Sequence, residues 1–247
     1  MNRPTLLPLL VLASCAHTPS WQHTDSKAWQ SLQERLEAER AARPRQPWTA
    51  DVRISLREPR SGRVVDGRGA IAVAPGRALR MILVGAAGET ILDAWVTTDR
   101  WRIAVPPAGR VRRGGADRDP QGDDDARDLP VGFLRWLFFT PLEGRVFAAQ
   151  QEQGSMLYVL REGEAVLEVR LGTCDRGQLA TTTRRLGGRT ERLDECRASR
   201  VPQPGDWVRY RDDGSGLGVE LAIESVARLP PNDLAFRDPD AGGEVTP

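Results

Sequence analysis

From Trp48 onward, apolar side chains fall at every second position in one short segment after another. Val52, Ile54 and Leu56 alternate with Asp51, Arg53 and Ser55, the pattern of a strand with one buried and one solvated face. Ile71 with Val73, then Leu79, Met81 and Leu83, repeat it. So do Leu92, Ala94 and Val96, and after them Trp101, Ile103 and Val105. Turn clusters separate these segments: Pro59-Arg60-Ser61-Gly62, Ala74-Pro75-Gly76 and Gly85-Ala86-Ala87-Gly88. The alternation returns at Val146 to Gln150, at Met156 to Leu160, and at Ala165, Leu167, Val169 and Leu171. Trp207 to Arg211 and the run Leu217, Val219, Leu221 and Ile223 complete it. About ten strands at roughly 8–12-residue spacing predict a mainly β chain, an antiparallel meander curling into a barrel or sandwich.

Two stretches have helical rather than twofold spacing. Ser26 is placed as an N-cap, and Trp29, Leu32 and Leu36 mark a narrow apolar stripe running to about Ala42, ended by Pro44 and Pro47. Leu129 to Phe139 is apolar nearly all round, with Phe133, Leu134, Trp136, Leu137, Phe138 and Phe139 close together. Such a helix must be buried, most economically as a plug in the concave face of a curled sheet. Between the fifth strand and this helix, Arg110 to Asp128 reads as a long polar, glycine-rich surface loop.

Before the first helix the chain carries an address. Arg3 precedes a short apolar run, Leu6 to Ala13, which ends in Leu12-Ala13-Ser14-Cys15. The run is far shorter than the ~20 residues a membrane span needs, so it reads as a secretory signal. Its ending resembles the bacterial lipoprotein signal, which implies cleavage before Cys15 and lipid attachment to that residue. Ala16 follows, not the aspartate that retains such proteins at the inner membrane, so the resemblance points to the outer membrane. The alternative is an ordinary cleavable signal with an unrelated cysteine. Residues 1–14 are then signal, 15–25 a lipidated tether, 26–240 the folded domain and 241–247 a disordered tail.

Composition narrows the chemistry. A formal net charge of +1 provides no field for nucleic acid. Lys27 is the only lysine, and the arginines are scattered, which fits codon usage better than phosphate recognition. The only histidines, His17 and His23, lie in the tether, so a Ser-His-Asp or Cys-His arrangement in the domain lacks a base. No enzyme activity and no cofactor are expected. Asp117, Asp119, Gln121, Gly122, Asp123, Asp125 and Asp128 have the spacing of a calcium loop, but a solvated acidic loop is the better reading and no metal is assigned. Gly214-Ser215-Gly216-Leu217-Gly218 fits a hairpin turn rather than a phosphate cradle. In an oxidising compartment Cys174 and Cys196 are a disulfide candidate, with free thiols the alternative.

The order of elements resembles LolB, the outer-membrane receptor of lipoprotein sorting, which shares its fold with the periplasmic carrier LolA. The best-matching stretch is Leu79-Arg80-Met81-Ile82-Leu83-Val84-Gly85-Ala86-Ala87-Gly88-Glu89-Thr90-Ile91-Leu92, a strand, a glycine-containing hairpin and a strand beginning near a glutamate. Leu229-Pro230-Pro231-Asn232-Asp233-Leu234-Ala235-Phe236 resembles the family's last strand. The resemblance implies an incomplete barrel plugged by helices, with an apolar cavity that receives acyl chains or the lipids of other lipoproteins. It implies a LolA-like carrier as a partner and a periplasm-facing position in the outer membrane. Candidates for lining the cavity are Val52, Ile54, Leu56, Ile71, Val73, Leu79, Met81, Leu83, Leu92, Val96, Trp101, Ile103, Trp136, Leu167 and Val169, on an inward face read as free of ionisable groups. A filled core has the same periodicity, which leaves an assembly scaffold with a packed interior as the alternative. The chain departs from the family at the hairpin tip. Ala86 and Ala87 stand where LolB carries a large apolar residue used in delivery.

Overall fold

The computed structural model describes residues 26–59, 61–115, 131–139, 142–152, 154–230 and 234–240. The signal, Cys15, the tether with both histidines, the acidic Asp117–Asp128 pattern and the tail therefore lie outside the described residues.

Six strands follow one another in a first meander: β1 (Trp48–Arg57), β2 (Val64–Ala74), β3 (Ala78–Val84), β4 (Thr90–Thr97), β5 (Arg100–Val105) and β6 (Arg110–Gly115). Seven form a second: β7 (Arg145–Glu152), β8 (Ser155–Glu162), β9 (Ala165–Cys174), β10 (Gly177–Leu186), β11 (Arg189–Arg197), β12 (Trp207–Asp212) and β13 (Gly218–Arg228). Each strand pairs antiparallel with its sequence neighbour, and β13 pairs with β1 to fuse the meanders into one 13-stranded sheet. Its edges are β6 and β7, so the sheet does not close into a barrel. Among the described residues two α-helices accompany it, α1 (Ser26–Ala41) before β1 and α2 (Val131–Phe138) on the crossing from one edge to the other.

Register aligns the apolar positions into rows across the sheet. Ala50, Ile71, Met81, Ala94 and Ile103 are successive partners from β1 to β5. Val52, Ile54 and Leu56 face Ile223, Leu221 and Val219 across the seam between the meanders. A slip of one residue would turn every one of these side chains to solvent, so burial of one face sets the pairing. The first hydrophobic cluster joins these rows to α2 through Val131, Phe133, Leu134, Trp136 and Leu137. The second joins Leu32 and Leu36 of α1 to Ala149, Tyr158, Leu160, Leu167 and Val169. Trp29 packs against it from the edge of the helical stripe.

One glycine shows how closely the edge is packed. Trp101 pairs with Gly114 across β5 and β6, and a Cβ built there would stand 2.5 Å from the indole.

Several expectations are corrected by the structure. Among the described residues there are thirteen strands, not about ten: β6, β10 and β11 escape an alternation of large apolar residues because their buried positions are few and mostly small or charged. Arg110–Gly115 is thus a strand rather than the start of a loop. The last strand ends at Arg228, and residues 234–236 form a 3₁₀ turn instead of a strand. That turn straps the outer face. The Trp95 indole N–H donates to the Phe236 carbonyl (3.2 Å), while Asp240 accepts from Arg102 (3.0 Å) and Arg113 (2.6 Å). Cys174 and Cys196 form a disulfide with Cα atoms 6.1 Å apart, linking the end of β9 to β11 across the start of β10.

Candidate functional site: a cavity at the end of the half-barrel

Pro44 and Pro47 cannot continue a helix, so the chain leaves α1 and enters β1 at Trp48. That corner, the end of α2 and the loop between β11 and β12 enclose a cavity of about 350 Å³. Its apolar wall comes from Trp48 and Val73 of the first meander, Leu137, Phe138 and Phe139 at the end of α2, and Trp207, Val208 and Ile223 of the second. The rings of Trp48 and Phe138 meet with centroids 6.3 Å apart. Around this wall stand Arg40, Arg43, Glu143, Glu195, Arg197, Arg200 and Asp206.

The charged groups are built into the structure to different degrees. Arg43 donates from both terminal nitrogens to Glu195, at 3.0 and 2.9 Å, and the Arg197 Nε lies 3.9 Å from the same carboxylate. Burial pushes the Glu195 carboxyl up, but the charges of Arg43 and Arg197 and the Arg43 hydrogen bonds outweigh it and hold the group below its ordinary value. Burial holds Arg197 below the ordinary guanidinium value despite Glu195 beside it. Asp206 accepts from the backbone N–H groups of Ala198 and Gln203, each at 2.9 Å, and so braces the loop. Arg40 donates to the carbonyls of Leu142 (2.8 Å) and Gly144 (2.7 Å), tying α1 to the chain after α2.

A second charged group sits on the inner face near the other end of α2. The Tyr210 hydroxyl donates to Glu191 (2.7 Å), and Arg189 bridges Glu191 (3.1 Å) and Asp212 (2.8 Å). Burial, then the Glu191 charge, push the Tyr210 hydroxyl far up. The Phe133 ring packs on Tyr210 with centroids 4.4 Å apart, so α2 rests on this network at one end and on Trp48 at the other.

These groups correct the expectation of an inward face without ionisable residues. Arg184, Glu191, Glu195, Arg197 and Asp212 alternate with Thr182, Leu193 and Tyr210 on the rows that continue the buried face. The sequence signal for this row is a period of two in Glu191, Leu193, Glu195 and Arg197, written mainly in charges and so without hydrophobic contrast. Of the fifteen cavity candidates, Val73 lines the cavity. Val52, Ile54, Ile71, Leu79, Met81, Leu83, Leu92, Val96, Trp101, Ile103 and Trp136 lie in the cluster under α2, with half-buried Leu56 against it, and Leu167 and Val169 lie under α1. Leu137, Phe138 and Phe139 belong to the apolar segment expected as a buried plug, whereas the arginine-rich rim and Trp207 carry no sequence signal that marks them as a site.

A second cavity, about 580 Å³, lies between Arg35 and Glu39 of α1 and the ends of β7 to β10. Its lining mixes Ala38, Met156 and Leu171 with Gln151, Ser155, Thr173 and Gln178, and it has no aromatic side chain among the lining residues. Ligand sites are mostly apolar with a few convergent polar groups, and the first cavity has that character. Among the described residues the one cluster of metal-ligand types, Cys174, Asp175 and Cys196, has its two sulfurs joined to each other.

Comparison with known proteins bears on the frame around this cavity. No protein-family model matches the sequence, and no curated protein matches it. A Vibrio parahaemolyticus structure described as an outer membrane lipoprotein-sorting protein domain superposes with a TM-score of 0.53 at 13% identity, over 83% of this chain and 97% of that one. The chain shares that domain's fold. A DUF1329 family protein from Desulfovibrio piger gives a TM-score of 0.52 at 11% identity, over 86% of this chain and 98% of that one. A LolA superfamily protein from Nitrosomonas europaea gives 0.49 at 10% identity, over 84% and 97%. At such identities the likeness is one of fold, and the open sheet filled by α2 is itself the plugged, incomplete barrel expected from the order of elements. Within this fold, the cavity occupies the corner where α1 and α2 approach the same end of the sheet.

Proposed function

We propose that the chain is a lipid-anchored envelope protein whose half-barrel receives an acyl chain between Trp48, Phe138 and Trp207. The observation that carries this reading is the apolar cavity of about 350 Å³ at the end of α2. A likeness in fold to a domain described as sorting outer-membrane lipoproteins supports it. The volume lies at the lower end of the ~300–1,000 Å³ typical of ligand sites, which suits one chain. Each methylene moved from water into such a wall gains ~0.8 kcal/mol, so partial burial of a chain is already substantial. α2 is the plug that yields to a longer insertion. In this reading Cys15 carries the lipid that holds the domain at the outer membrane, facing the periplasm. The acyl chains of other lipoproteins are its ligand class, a LolA-like carrier is its partner, and it catalyses no reaction.

The test is titration of the Cys15→Ser chain with an acyl-bearing fluorophore, alongside Val208→Asp and Phe138→Asn variants. Saturable binding weakened by about tenfold or more in both variants is expected, since each places a polar group where the chain must lie. Saturable binding that both variants leave intact would overturn the reading.

A second reading rests on the filling of the inner face by α2. There the domain is a scaffold that recruits an envelope protein, and no acyl probe binds with or without the substitutions.

A further inference from the structure

The polar side of the same cavity has more hydrogen-bond donors than acceptors. Four arginines and three carboxylates line it. Two of the carboxylates are already engaged: Glu195 by two hydrogen bonds from Arg43, and Asp206 by two backbone N–H groups of the loop. On the donor side, the Nε groups of Arg43 and Arg197 are buried without a hydrogen-bond partner among the described residues. A buried, unsatisfied donor is costly, and one on a charged group more so. Arg200, exposed on the β11–β12 loop, adds a guanidinium for which the described residues provide no hydrogen bond or ion pair. Three donor sites short of acceptors thus stand beside a wall of Trp48, Phe138 and Trp207.

We infer that the ligand is a single-chain amphiphile with an anionic head, its chain along the aromatic wall and its head at Arg200 and the edge of the Arg43–Glu195–Arg197 cluster. Carboxylate and phosphate share the chemistry required, an acceptor group that guanidinium forks bind in charge-assisted pairs. The inference rests on the acyl-binding reading above and, in place of the lipoprotein acyl chains named there, makes the ligand a free lipid with a charged head. Engaging Glu195 with Arg43, and Asp206 with the loop amides, also shields the head from the two buried carboxylates in the wall. Arg200 then supplies a charge that no ion pair among the described residues offsets.

The experiment uses the Cys15→Ser chain and three probes of one chain length: a fatty acid, a lysophosphatidic acid and the neutral monoacylglycerol. Both anions are expected to bind at least about tenfold more tightly than the neutral lipid, as one charge-assisted contact supplies. That ratio should shrink with Arg200→Gln, whose exposed position puts folding at little risk, and with rising salt. Preference for one anion over the other identifies the head as carboxylate or phosphate. Equal binding of all three probes, or a ratio that Arg200→Gln leaves unchanged, overturns the inference while the acyl-binding reading stands. Failure of every probe to bind overturns both.

Discussion

Arg43 grips Glu195 with two parallel hydrogen bonds, 3.0 and 2.9 Å long, across 152 residues of sequence. The pair fixes the end of α1 to the inner face of β11 and forms one wall of the cavity. Both side chains are largely buried, at 17% and 5% exposure, so removing one partner leaves the other charged in a poorly solvated place. Arg43→Met is expected to destabilise the chain by about 3 kcal/mol, the low end for a broken buried pair because Arg197 still stands near Glu195. The double substitution Arg43→Met with Glu195→Met should recover much of that loss. Urea denaturation of the two variants measures both effects, and equal destabilisation would show that the pair itself is not what matters.

The same carboxylate gives a pH dependence of definite sign. Glu195 lies below its ordinary value in the folded chain, chiefly because Arg43 and Arg197 overcome the effect of burial. Its contribution is therefore fully present above the unfolded value, about 4.5, and is lost as pH falls through the lower folded value. Stability of the parent chain should decline on acidification below about pH 4.5, and less steeply in the double variant. Denaturation midpoints from pH 3 to 7 decide this.

The Cys174–Cys196 bond closes a loop with a sequence separation of 22. In the chain-entropy account a loop of that size contributes ~3 kcal/mol by restricting the unfolded chain. Cys174→Ala with Cys196→Ala should lower stability by about that amount, as reductant should in the parent but not in the variant. A parent chain indifferent to reductant would contradict the bond's contribution.

How much of this was legible depends on which side chains mark a buried face. β1, β3, β4 and β13 bury large aliphatic residues at alternate positions, and their strands were read directly. β10 buries Ala180 and Thr182, and β11 buries Leu193, Glu195 and Cys196, so the same period carried no hydrophobic contrast. The cavity lay partly in that gap, since Glu195 and Arg197 come from β11 and Arg200 from the loop after it. On the apolar side periodicity identified the buried face but could not separate wall from core. Val73 borders open space while Ile71, two residues earlier on the same face, is packed beneath α2.

Gly114 is required by the indole opposite it. A Cβ at this position would come within 2.5 Å of the Trp101 ring, which is itself 5% exposed. Gly114→Ala is expected to cost about 1–3 kcal/mol as the ring is displaced from its packing. Trp101→Leu should relieve the clash, so the two substitutions together should cost less than the sum of each alone. A double-mutant cycle by chemical denaturation measures that coupling.

α2 serves in this account both as core and as plug, and these roles make different demands on Phe133. Its ring is buried against Tyr210 at 4.4 Å, while Arg135, two residues on, donates to the Thr97 carbonyl at 3.0 Å. Phe133→Ala should therefore cost about 3–5 kcal/mol, as for other large core truncations. If α2 yields to ligand, it opens at lower free energy than the sheet, and its amides exchange faster than those of β3 under native conditions. Saturating acyl ligand should change exchange in α2 while leaving β3 nearly as before. Hydrogen-exchange mass spectrometry with and without ligand tests the plug directly. Ligand binding with no change in α2 would make the helix a fixed wall, and the cavity at its end the whole of the site.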